Sequence, residues 1–167
     1  MKTFLRSREA QLVAALLVLT SLIAARFPGF VSPRNLASVF NDTSILIILA
    51  FGQMAVILTK CIDLSIAANL ALCGMLVALI NVAAPGLSPW LIMPLAILFG
   101  AGFGAVNGLL VWKLDIPSIV VTLGTMTIFR GIIFLLTDGA WINAHEMSDA
   151  FKAVPRQVLL GLPVLSW

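Results

Sequence analysis

The chain has 167 residues, 61% of them hydrophobic and only 10% charged, with a net charge of +3 and a mean hydropathy of +1.12. Soluble domains run nearer about 45–50% apolar and about 25% charged, so a water-soluble globule is excluded and lipid must take part of the apolar surface. The basic residues are scattered one or two per connection, without a stripe or aromatic interleaving, which argues against nucleic acid as a partner.

In chain order, the first span is predicted over residues 10–26, behind Lys2, Arg6 and Arg8. A cleaved leader would look similar, with Ile23-Ala24-Ala25 as a weak cleavage site, but the apolar run is slightly too long and more spans follow. A retained anchor is therefore predicted. Residues 27–42, with Pro28, Gly29, Pro33 and Asn35, read as a turn-rich external loop whose end turns helical. The second span is predicted over 43–59. It is followed at once by Lys60-Cys61-Ile62-Asp63-Leu64-Ser65.

From Leu64 to Trp112 there is no charged side chain. As one helix, these roughly 49 residues would measure about 70 Å against a hydrocarbon core of about 30 Å, so the stretch must fold back. Pro85-Gly86 through Pro89 is the place for it, giving a third span to about residue 84 and a fourth over 90–112. Lys113-Leu114-Asp115 makes a tight connection, and Pro117 opens a fifth span to about 137. Residues 138–156 form an external loop with Trp141 and the single histidine, His145. Residues 158–167 read as the opening of a sixth span, too short to cross as a helix; a truncated chain is the reading preferred over an interfacial segment. The fold class expected is an all-α polytopic transmembrane bundle, about five spans plus the start of a sixth. Lys2, Arg6, Arg8, Lys60 and Lys113 fall on one face, which is cytoplasmic by the positive-inside rule.

The polar residues at membrane depth carry the functional question. Asp63 has two readings, a cap on the third helix or part of a broken-helix element beside a polar pathway; the two can coexist. Arg130 either snorkels to the outer interface or serves as a buried pair or hydroxyl donor. Gly100, Gly104 and Gly108 repeat at four-residue spacing and make a smooth face for close helix packing. Asn107 beside them needs a partner inside the bundle. Thr122, Thr125 and Thr127 bond back to their own helix or line a pathway. Gln53 and Asn69 are similar polar residues in apolar spans. Cys61 and Cys73 form neither a metal site nor a disulfide and read as packing residues. No nucleophile elbow, phosphate-binding loop or intramembrane aspartate pair is present, so no enzyme and no cofactor is predicted.

Three stretches in order resemble the permease subunit of bacterial ABC importers for monosaccharides, the ribose, xylose, rhamnose and autoinducer-two group. They are Gly52-Gln53-Met54-Ala55-Val56-Ile57-Leu58-Thr59 with Ile62-Asp63-Leu64-Ser65, then Gly104-Ala105-Val106-Asn107-Gly108-Leu109-Leu110-Val111, then residues 116–126 with Arg130-Gly131. Where that family has paired glycines, this chain has Lys60 and Cys61, which restricts the backbone and tilts the resemblance toward the rhamnose and autoinducer-two members. The resemblance covers the first half of such a permease, so residues 1–167 are expected to be one transmembrane permease domain and an N-terminal fragment. It implies a multi-pass inner-membrane protein with a cytoplasmic N-terminus. Implied partners are cytoplasmic ATP-binding subunits that hydrolyse the ATP, a periplasmic sugar-binding protein and a second permease subunit. Asp63, Ser65, Asn69, Asn107, Thr122, Thr125 and Arg130 are the candidate pathway or helix-register residues, under an alternating-access mechanism. The alternative is a membrane scaffold or a decayed half-permease.

Overall fold

The structure is a computed structural model and describes residues 8–159 and 162–164. Five helices in it are long and apolar enough to cross a membrane: α1 (Arg8–Arg26), α2 (Pro33–Leu58), α3 (Ile66–Ala83), α4 (Pro89–Leu114) and α5 (Ser118–Thr137). A short helix α6 (Asp149–Ala153) and two strands, β1 (Val158–Leu159) and β2 (Leu162–Pro163), follow. The strands pair antiparallel, Val158 opposite Pro163. The five expected apolar helices are therefore present. The described part of the expected sixth span is extended rather than helical, and the rest of 158–167 lies outside the described residues.

The chain divides into two compact units at Ser44/Ile45, inside α2. In the first, α1 has no buried residue, and its end turns through a 3-10 turn at Pro28–Val31. Here the structure corrects the predicted loop over 27–42, because α2 already begins at Pro33. A proline at the first helical position removes an N–H that has no intrahelical acceptor anyway and presets φ for the helix. Asn35 donates back to the Phe30 carbonyl at 2.8 Å, tying the turn to the new helix.

In the second unit, α3 lies against both α4 and α5. Leu72 of α3 is fully enclosed, and Ala68, Leu72 and Phe129 form the core with Leu76, Phe103 and Met126 packed around it. The Phe103 and Phe129 rings meet at 5.1 Å, tilted by 47°. Between α3 and α4 the chain turns over Pro85 and Gly86, with the Leu87 amide bonded to the Ala84 carbonyl at 3.0 Å. Pro89 then opens α4.

The end of α2 sets up everything that follows. The Lys60 amide bonds to the Ile57 carbonyl at 2.8 Å and the Cys61 amide to the Val56 carbonyl at 3.3 Å. This is the paired bond pattern of a Schellman stop, whose turning residue sits in the left-handed region. That residue is Lys60, with φ of 61°. The position is one where the resembled family carries glycine, so the glycine has a structural reason and the lysine adopts the same conformation at a cost of about 1–2 kcal/mol. Replacing Lys60→Gly is expected to raise stability by about 1 kcal/mol, read as a higher midpoint of unfolding in detergent; an unchanged or lower midpoint would contradict the assignment.

Candidate functional site

Residues 59–65 between α2 and α3 are not helical, so those of their backbone groups that are buried need partners from elsewhere. Helix α5 supplies them. The Ile62 amide donates to Ser118 Oγ at 3.1 Å, and Thr122 Oγ1 lies 3.4 Å from the Ile62 carbonyl while bonding its own helix at Ser118 O, 2.8 Å away. Asp63 Oδ1 accepts from both the backbone amide and the hydroxyl of Ser65, each at 2.7 Å. Ser65 precedes the first turn of α3, makes no side-chain cap of its own, and is fully buried. Asn107 Nδ2 of α4 donates to Ser65 Oγ at 2.8 Å.

These bonds form one directed relay, Asn107 to Ser65 to Asp63. Its polarity is settled by the carboxylate: Oδ1 already accepts an amide proton, so the Ser65 hydroxyl must donate to it and can only accept from Asn107. Asn107 is thus left with its Oδ1 buried and without a hydrogen-bond partner. The relay joins the helix break to α4, and Ser118 and Thr122 join it to α5.

Asn107, Asp63, Ser118 and Thr122 line a cleft of about 460 Å³, with Cys61 and Trp112 also at its walls. Gly104 and Gly108 line it too. A Cβ built at either glycine meets nothing within 4 Å, whereas one at Gly100 would touch Cys73 Sγ at 3.7 Å. Of the three glycines read as a packing face, Gly100 alone has a neighbour at contact distance from α3. A second hollow of about 570 Å³, lined by Met93, Met147 and Phe151 among others, is walled mainly by apolar side chains, and neither of the buried unpartnered atoms among the described residues belongs to its lining.

The remaining candidates fall outside the relay. Asn69 Nδ2 reaches the Gly100 carbonyl at 3.4 Å and its Oδ1 accepts from Cys73 Sγ at 3.2 Å. Thr125 and Thr127 bond back to Thr122 and Leu123 of their own helix. Arg130 lies on the exposed side of α5, next to the buried Phe129, and no ion pair reaches it among the described residues. Cys61 is half-buried and Cys73 buried, both as free thiols.

Residues 35–152 match the family model described as branched-chain amino acid transport system, permease component. The chain belongs to this permease family. It is 40% identical over 167 residues to the autoinducer 2 import system permease protein LsrC of Enterobacter sp. (strain 638), covering 99% of the chain and 47% of that protein. It is 37% identical over 167 residues to the Klebsiella pneumoniae LsrC, covering 100% of the chain and 47% of the relative. It is also 33% identical over 161 residues to the ribose import permease protein RbsC of Haemophilus influenzae, covering 95% of the chain and 49% of that protein. The chain thus spans about half the length of the curated relatives it matches. No solved structure matches it.

Sequence reasoning missed one pair in this permease chain. Asn81, in the last turn of α3, is fully buried. Its Nδ2 donates to Ser148 Oγ at 3.0 Å and its Oδ1 accepts from the Ser148 amide at 2.8 Å. Ser148 Oγ in turn caps α6 by accepting from the Phe151 amide. An amide in a largely apolar helix was the available signal, since such a group has to find a partner. In the same loop, Lys152 pairs with Asp149 at 2.8 Å and holds its carboxyl below the usual range.

Two substitutions test these contacts. Ser65→Ala removes the middle of the relay and strands Asn107 Nδ2; a loss of about 2–3 kcal/mol is expected, measured by unfolding in detergent, and a neutral result would contradict the relay. Asn81→Ala frees Ser148 and α6, so tryptic cleavage after Lys152 is expected to accelerate about tenfold as the local opening becomes cheaper. An unchanged cleavage rate would show that the pair does not hold the loop.

Proposed function

We propose that the chain forms part of the translocation pathway in the permease subunit of an ATP-driven importer for a monosaccharide or similarly hydroxylated solute. The observation that carries this is the interrupted α2–α3 connection, hydrogen-bonded into α4 and α5 through Asp63, Ser65, Asn107, Ser118 and Thr122. Continuous helices alone do not need such a knot. Irregular backbone between membrane-spanning helices is tolerated where protein groups hold its amides and carbonyls.

The cargo class rests on similarity along nearly the whole chain to proteins named as autoinducer 2 and ribose import permeases. Within that class, Lys60 and Cys61 in place of paired glycines favour a rhamnose-like or autoinducer-two-like member. In this reading ATP is hydrolysed by cytoplasmic partner subunits, a periplasmic binding protein delivers the solute, and a second permease subunit completes the pathway. The chain is one transmembrane domain, with its N-terminus, Lys60 and Lys113 on the cytoplasmic face and residues 138–156 on the external face. The mechanism is alternating access, in which α3, α4 and α5 rock together while the relay keeps them in register. Asp63, Ser65, Asn69, Asn107, Thr122 and Thr125 border the route or hold its helices, and Arg130, exposed on α5, snorkels to the outer interface.

Single cysteines at those six positions, in the assembled transporter with and without nucleotide, test the proposal. Labelling by a water-soluble maleimide is expected to change with nucleotide state at Asp63 and Asn107, which line the cleft. Protection of all six in every state would leave a scaffold role. Tags beside Lys113 and Trp141 should report opposite compartments.

A further inference from the structure

The hollow of about 570 Å³ and the cleft at the helix break lie toward opposite ends of α4, with roughly 21 Å of helix between Met93 and Asn107. Ile48 of α2, Met93 of α4, and Ala144, Met147 and Phe151 of the segment after α5 wall the hollow. Met93 shares a helix face with Trp90 and Ile97, which are 59% and 74% exposed. The hollow therefore adjoins a surface that meets acyl chains in a bilayer. Such walls offer water too few polar partners to hold it. Nor is the loop free to collapse into the space, because Ser148, between Met147 and Asp149, is held to the buried Asn81 through both its amide and its hydroxyl. Two methionines on the wall suit an apolar guest of variable shape.

At Lys152 the surroundings change. This residue lines the apolar hollow and also a neighbouring depression of about 490 Å³, which it shares with Asp149, Ala153 and Gln157. An apolar compartment and a polar one thus meet at one side chain. Lys152 is only 32% exposed along its side chain, so its carbon stem lies on the apolar wall, while Nζ sits 2.8 Å from Oδ1 of the fully exposed Asp149. An ion pair placed in the open holds weakly and yields to other ions. What it presents at the rim is a cation and an anion side by side.

We propose that the joined hollows bind a phospholipid with an ethanolamine headgroup: a stretch of acyl chain lies along Met93, Met147 and Phe151, Lys152 Nζ donates to the phosphate, and the Asp149 carboxylate accepts from the headgroup ammonium. A zwitterionic headgroup set antiparallel to the Lys152–Asp149 pair satisfies both charges. A headgroup that is only anionic leaves Asp149 beside a phosphate, and a choline headgroup has no N–H to give it. The apolar compartment, at about 570 Å³, falls in the range that encloses a small apolar guest, about 300–1,000 Å³. Bound there, the lipid braces α6 against α2 and α4. The site lies apart from the route proposed above and does not depend on it.

The full chain in phosphatidylcholine nanodiscs, with a trace of phosphatidylethanolamine carrying a diazirine on one acyl chain, tests the site. After irradiation the modified residues are located by mass spectrometry. Labelling is expected to concentrate at Met93 and over residues 144–154. Unlabelled phosphatidylethanolamine at roughly ten times its half-competing concentration is expected to cut it about tenfold, while phosphatidylglycerol at the same concentration leaves it unchanged. Ala144→Trp, which puts an indole into the hollow, is expected to abolish the labelling. Lys152→Gln, a change at the rim, is expected to lower it about tenfold and covers the case in which Ala144→Trp fails to fold.

Labelling spread evenly along the exposed faces of α1, α4 and α5 shows annular lipid alone and overturns the site. Equal competition by phosphatidylglycerol overturns the assignment of the headgroup to Lys152 and Asp149 together. Labelling that survives both substitutions places the lipid elsewhere and overturns the proposal as well. Loss of labelling once partner subunits are assembled shows that protein covers the hollow, which also overturns it. Any of these results can coexist with nucleotide-dependent labelling at Asp63 and Asn107, so the lipid site can fail while the importer reading stands.

Discussion

Backbone amides and carbonyls that leave a helix inside a packed protein must be satisfied by the protein itself, and the α2–α3 break is where this chain meets that requirement. The Schellman stop at Lys60 takes the last carbonyls of α2. Ser118 serves the Ile62 amide, Thr122 approaches the Ile62 carbonyl, and Asp63 serves the amide of Ser65. Helix α5 is thereby part of the break rather than a neighbour of it. Once Asn107 adds its bond to Ser65, the axial positions of α3, α4 and α5 relative to one another are set by polar contacts, and the apolar core around Leu72 and Phe129 only has to fill the space between them.

Much of this was legible in the sequence, for physical reasons that differ by element. The spans were readable because charge is absent from Leu64 to Trp112 and because Pro85-Gly86 interrupts the run where a fold-back is required. The start of α2 was misread because a proline was taken as a breaker, whereas at the first helical position it removes nothing. That Asp63 would serve a helix start followed from the charge preference of helix termini, yet the bonds it makes go to Ser65 itself. Asn107 announced a need for a partner, but Ser65 lies 42 positions away, and only the packing of α4 on α3 brings them together. Asn81 carried the same kind of announcement and was passed over in its apolar surroundings.

The glycines divide in an instructive way. Their four-residue spacing predicts a close-packing face, and Gly100 does lie at contact distance from Cys73. Gly104 and Gly108 continue the same row past the end of that contact and border the cleft. Periodicity identifies which side of a helix is smooth. It does not say whether another helix or open volume lies against it, because that depends on where the neighbouring chain departs, here at the break before α3.

Helix α3 is fastened in the same chemical manner at both extremities: Asn107 grips Ser65 below its first turn, and Asn81 in its last turn grips Ser148. A piston stroke of a single helical pitch, about 5.4 Å, would snap both fastenings together, while a tilt about one of them strains only the other. The segment is therefore pinned like a tie-rod, and sliding along its own axis is the motion that both sets of bonds oppose.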